Sequence, residues 1–114
     1  MTRPENVNAR YAQVLRHEGL IFVAGQVSKD LSRGFADQAH DVMRAVDDCL
    51  AQAGGSGGRL LSVTVYLRDV EDVPHLNEVW DRWLSGRSRP VRTLVSAKLW
   101  HPDCRIEASA VGVA

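Results

Sequence analysis

The stretch Leu60-Leu61-Ser62-Val63-Thr64-Val65-Tyr66-Leu67 has a period of two. Leu61, Val63, Val65 and Leu67 share one face, and Leu60, Ser62, Thr64 and Tyr66 share the other, as in a strand with one apolar side. Segments of helical period flank it. Upstream, Phe35, Ala39, Val42, Met43, Val46, Cys49, Leu50 and Ala53 recur at steps of three and four. Asp37, Asp41, Asp47 and Asp48 lie mostly elsewhere around that helix, and Gly54 stands where a helix C-terminal glycine belongs. The Gly54-Gly55-Ser56-Gly57-Gly58 run that follows lacks the Lys-Ser/Thr of a phosphate loop and reads as a connector. Downstream, Pro74 suits the first turn of a second helix with Asp72 near its cap. Leu76, Val79, Trp80, Trp83 and Leu84 form its apolar face, and Gly86 ends it.

Working outward, Tyr11 to Arg16 and Leu20 to Ala24 read as two strands joined by the His17-Glu18-Gly19 turn, the second ending at Gly25. Val91 to Leu99 is a further strand, His101-Pro102-Asp103 a turn, and Cys104 to Val113 the last strand. Residues 1–10 carry one Pro and no period, and are expected to form an arm. The order is ββαβαββ, an α+β domain spanning 1–114 with one mixed sheet and both helices on one face. The face of Ser62, Thr64 and Tyr66 is then left to water, and a homo-oligomer is the natural cover for it.

At 114 residues, 45% hydrophobic and 25% charged, the chain has the size and composition of one ordinary globule. No apolar run reaches membrane-spanning length and no secretory leader is visible, so a cytoplasmic protein without membrane association is expected. Fourteen basic residues balance fourteen acidic ones, which argues against nucleic acid as a partner. Cys49 and Cys104 are far apart, and neither they nor His17, His40, His75 and His101 have metal-ligand spacing. No metal and no cofactor are expected.

Two charged residues stand out in the strands. Arg92 follows Pro90 at the start of its strand, where a guanidinium offers a rigid fork to a carboxylate. By composition alone a surface arginine or an internal ion pair is the better account of it. Glu107, between Ile106 and Ala108, is out of place in an apolar strand. It faces solvent, a partner, or Arg92 if the last two strands pair near that level. There it could serve as a salt-bridge partner or as an acid that activates water. Asn77 falls at an edge of the second helix's buried face, where it is expected to be solvated or bonded to nearby backbone rather than part of a site. Tyr11 could wall a pocket, though an aromatic in a strand is more often packing, and Gly25 could let a ligand approach the backbone, though a plain strand end fits it better.

Taken in order, these pieces resemble the YjgF/RidA family of reactive-intermediate deaminases. The resemblance is carried by Phe22-Val23-Ala24-Gly25-Gln26, Gln38, Val63-Thr64-Val65-Tyr66-Leu67-Arg68-Asp69, Leu76-Asn77-Glu78-Val79-Trp80, Arg89-Pro90-Val91-Arg92-Thr93 and Arg105-Ile106-Glu107-Ala108-Ser109-Ala110. The Asn-x-x-Trp-Asp-x-Trp and Pro-Val-Arg pieces look most like its YoaB branch. The resemblance implies a chorismate-mutase-like fold and a homotrimer with sites between subunits. It implies that Arg92 grips a substrate carboxylate and Glu107 positions the attacking water, while Tyr11, Gly25, Asn77 and Leu94 line the pocket. Leu94 stands where many members have Cys, which excludes a thiol role. Only one Glu is present where many members have Glu-Ile-Glu, and the spacing from Arg92 matches Glu107 to the first of them.

The activity so implied is cofactor-free hydrolysis of an imino or enamino acid to a 2-oxo acid and ammonia. Two rival readings stand beside it. One is a non-catalytic protein that binds a small carboxylate in the same pocket. The other is an endoribonuclease or translation inhibitor, disfavoured by the zero net charge.

Overall fold

The computed structural model describes the backbone of residues 2–7 and, in full, residues 10–55 and 59–114. Ser56, Gly57 and Gly58 of the expected connector lie outside the described residues. The elements are strands β1 (Thr2–Val7), β2 (Ala12–His17) and β3 (Leu20–Gln26), helix α1 (Phe35–Gln52), strand β4 (Leu60–Leu67), a 3-10 turn (Val70–Asp72), helix α2 (Val73–Trp83), and strands β5 (Val91–Ser96) and β6 (Ile106–Val113). They form one six-stranded sheet in the order β1-β2-β3-β6-β4-β5. Only β4 and β5 run parallel, so the sheet is mixed, as expected.

The N-terminal segment corrects the sequence reading. Thr2–Val7 is a strand, not an arm, and pairs antiparallel with β2 from Thr2↔His17 to Val7↔Ala12. Edge strands are held by backbone hydrogen bonds and tolerate Pro, so Thr-Arg-Pro-Glu-Asn-Val needs no apolar alternation to join the sheet. Glu18 and Gly19 both have positive φ (49° and 82°). They form the two-residue turn that matches hairpin twist between the paired His17 and Leu20.

The helical period of α1 delivers Phe35, Ala39, Val42, Met43, Val46 and Leu50 to the sheet, and α2 adds Leu76, Val79 and Trp80, all buried. The sheet answers with Val14, Ile21, Val23, Val63, Val65, Leu67, Ile106, Ala108 and Ala110. Each fully buried Leu or Ile here contributes about 1.5–3 kcal/mol. At the end of α1, the Gly54 amide donates to the Ala51 carbonyl and the Gly55 amide to Leu50. Gly54 takes the left-handed conformation that this ending requires (φ 83°).

Three further expectations are adjusted. Leu60, not Leu61, reaches the core: Leu60 is 4% exposed and Leu61 40%. Leu60 pairs with Gly112 and Ser62 with Val111, so Leu61 is the extra residue of a bulge that flips the parity of the strand start. The fifth strand stops at Ser96 because its partner strand stops at Leu67, and the sixth begins at Ile106. Asp72 occupies the cap position of α2 without a side-chain cap bond. Its carboxylate is taken by Arg105, 2.9 Å away.

Gln38, which is fully buried, is tied on all sides. Its Nε2 donates to the carbonyls of Leu31, Arg33 and Asp103, and its Oε1 accepts the Arg105 amide. The loop before α1 and the loop before β6 are thus fastened to one helix side chain. Gln38→Ala leaves those groups unpaired and is expected to cost about 3 kcal/mol in a denaturant titration.

Candidate functional site

β5 and β6 do not pair with each other. β4 lies between them, with Arg92 opposite Val63 on one side and Glu107 opposite Tyr66 on the other. Three residues of strand and two strand spacings separate them, about 10 Å in each direction. Their faces differ too. Val63 is buried in the helix-side core, whereas Tyr66 alternates to the open side with Thr64 and Ser62. Within one subunit Arg92 and Glu107 neither pair nor share a site, contrary to the ion-pair reading. The structure instead holds two candidate half-sites.

The first half-site is built on β5 and α2. Arg92 Nη1 donates to Asn77 Oδ1 at 3.0 Å. The guanidinium carbon lies 4.9 Å from the ring centroid of Trp80, which is itself only 7% exposed. The helical step from 77 to 80 puts amide and indole on the same side of α2, where both meet Arg92. A planar cation held on an aromatic face with one edge hydrogen-bonded keeps its orientation. Leu94 lies two residues along β5, opposite Val65. Asn77 thus reaches Arg92 rather than solvent. Trp80, which the helical pattern marks only as core, also carries the arginine.

The second half-site lies at the β3–β6 seam. A bulge between Val23 and Gln26 interrupts the pairing with β6, and Gly25 sits in it. A Cβ on Gly25 would fall 2.0 Å from Glu107 Oε2. The space a side chain would take at Gly25 is filled by the end of the Glu107 side chain, at the place where a ligand could approach the backbone. Burial raises the Glu107 pKa above the ordinary glutamate value. Tyr11 is tied to the same end: Gln26 donates to Gln13 Oε1 at 2.9 Å, and Gln13 Nε2 donates to Tyr11 Oη at 3.3 Å. Gln13 escaped the sequence reading. Its only signal is the two-residue step from Tyr11 along one strand.

In Gly25→Ala the Glu107 carboxylate has to swing aside. Only the end of a flexible chain gives way, so stability is expected to change by less than about 1 kcal/mol. The pKa of Glu107, followed by carboxyl NMR, falls back toward its ordinary value as the group reaches water.

Chemically, the first half-site presents a fixed cationic fork, and the second a half-buried carboxylate with raised proton affinity. Among the described residues no three His, Cys, Asp or Glu side chains converge as a metal-ligand group. No helix among them is long and apolar enough to cross a membrane.

A mixed sheet backed by two helices, with an oriented arginine at its edge and a half-buried carboxylate on its open face, defines a class of small α+β proteins. The particular family follows from comparison: the chain belongs to the Endoribonuclease L-PSP family, whose model matches residues 2–114. A RutC family protein of Haemophilus ducreyi is 31% identical over 102 residues, covering 90% of this chain and 87% of that one. The RutC family protein YoaB of Escherichia coli is 27% identical over 106 residues, covering 93% and 92%. A YjgF-family structure from Neisseria meningitidis superposes with a TM-score of 0.92 at 32% identity, covering 99% of this chain and 94% of that one. The resemblance to the YjgF/RidA family and its YoaB branch thus holds over nearly the whole chain.

Proposed function

We propose that the protein hydrolyses 2-imino acids, formed directly or by tautomerisation of enamines, to 2-oxo acids and ammonia. The sites would lie between the subunits of a homotrimer. The observation that carries this reading is Glu107, a half-buried carboxylate packed against Gly25 and without a hydrogen-bond or ion-pair partner among the described residues. Burial of an acid without a partner costs stability, and such a cost is retained where a proton must be held or moved.

A site that uses both residues requires a neighbour, because Arg92 and Glu107 project from opposite faces of one sheet. The open face supports that assembly. Its register places Leu15, Phe22, Val111, Val91 and Val95 beside Ser62, Thr64 and Tyr66, and Phe22 is 43% and Val91 70% exposed. A second and a third copy would cover this surface and bring one subunit's Arg92 toward the next one's Glu107.

The imine carbon is already electrophilic. Arg92 would hold the substrate carboxylate, and Glu107 would take a proton from the attacking water. The carbinolamine then collapses, its hydroxyl proton and the returned proton leaving with nitrogen as ammonia. Water supplies the carbonyl oxygen, so the reaction balances without a cofactor, and orientation can remove several kcal/mol of the barrier.

The test is turnover by the intact protein. With 2-imino acids generated by an amino-acid oxidase, 2-oxo acid should form faster with the protein than without it. Failure across a broad substrate set would favour a protein that only binds a small carboxylate. Light scattering that gives a monomer mass would remove the shared site.

A further inference from the structure

Resting on the reading that Arg92 grips the substrate carboxylate, we infer that the site selects imino acids bearing a second carboxylate on the side chain, and that Arg89 selects them. Arg92 opens into a hollow of about 460 Å³ at the C-terminal end of α2, with Trp80 and Pro90 among its walls. Three guanidinium groups line it, and they differ in what they hold. Arg87 is closed off: both its terminal nitrogens donate to Asp47 at 2.9 Å. Arg92 spends one nitrogen on Asn77. Arg89 is exposed and has no hydrogen bond or ion pair among the described residues.

The only carboxylate among the lining residues is Asp81. It is exposed and offsets one of the two uncommitted cations. A monocarboxylic imino acid satisfies Arg92 and leaves Arg89 idle. A dicarboxylic one engages both forks. Three residues of chain place the two Cα atoms at most about 11 Å apart, and two long side chains converge readily across that span. Arginine suits the task because each fork takes a carboxylate bidentately.

The experiment compares kcat/KM for imino acids derived from alanine and leucine with those derived from aspartate and glutamate, at low salt. The wild-type ratio should favour the acidic pair by about tenfold or more, one charge-assisted contact being the difference. Arg89→Ala should lower that ratio about tenfold, Asp81→Asn should raise it, and added salt should compress it. A ratio indifferent to Arg89→Ala, or favouring neutral substrates, overturns the inference while leaving the deaminase reading intact.

Calorimetric binding of pyruvate against 2-oxoglutarate separates the two claims if no imino acid is turned over. Tighter binding of 2-oxoglutarate that is lost in Arg89→Ala keeps the selection by Arg89 and sinks the deaminase reading. Equal binding of the two acids sinks the selection.

Discussion

Arg92→Ala should lower kcat/KM for imino-acid hydrolysis by about 10²–10⁴-fold. Each hydrogen bond between charged groups is worth about 1.5–3 kcal/mol, and the guanidinium has two to give to a carboxylate. The substrate carboxylate is bound alike before and during reaction, so much of the loss should appear in KM. What reaches kcat reports lost orientation. The fold should survive, because Arg92 is half-exposed and leaves behind only the Asn77 amide and one face of Trp80. Arg92→Lys should rescue little, since a point charge cannot occupy the Asn77 carbonyl and a carboxylate in one plane. Steady-state kinetics of the three proteins, with circular dichroism to show they are folded, checks this. Wild-type kcat/KM in Arg92→Ala would remove the clamp.

Glu107→Gln should act on the other parameter. A positioned general base contributes about 10²–10⁴-fold, and the loss should fall on kcat. Glu107 works ionised, so wild-type activity declines as pH falls through its pKa. Burial raises that pKa, which puts the acid limb above the ordinary glutamate range. In Glu107→Gln the limb disappears with the activity. Stability moves the opposite way. A folded-state pKa above the unfolded one makes the ionised group a cost, present at neutral pH and relieved as acid protonates it in both states. Glu107→Gln should therefore melt higher than wild type at neutral pH, the gain shrinking toward acid pH. Parallel melting curves and pH–rate profiles test both halves. A variant that is fully active or melts lower would contradict them.

Local chemistry made most of the fold readable. The three- and four-residue steps from Phe35 to Ala53 and from Leu76 to Leu84 leave only helices. Alternation from Ser62 to Leu67 leaves only a strand, and Gly19 and Gly54 mark turns that need positive φ. Three features escaped because nothing local encodes them. Thr2–Val7 is a strand only because the edge of β2 is there to pair with. Leu61 faces out because a bulge against Gly112 shifts the register. The fifth strand ends, and the sixth begins, where β4 ends at Leu67.

The site divides along the same line. The isolated Arg92 after Pro90 and the misplaced Glu107 are properties of the chain, and the family resemblance singles them out as the two residues on which the proposed chemistry depends. Their relation is not a property of the chain. A strand pattern shows which residues share a face within that strand, but not which strand becomes its neighbour, since pairing is settled by long-range backbone contacts. Only the order β6-β4-β5 and its register show that Arg92 and Glu107 stand apart and on opposite faces. In the same way, only packing shows that Trp80 and Asn77 hold Arg92, and that Glu107 lies where a Cβ on Gly25 would be.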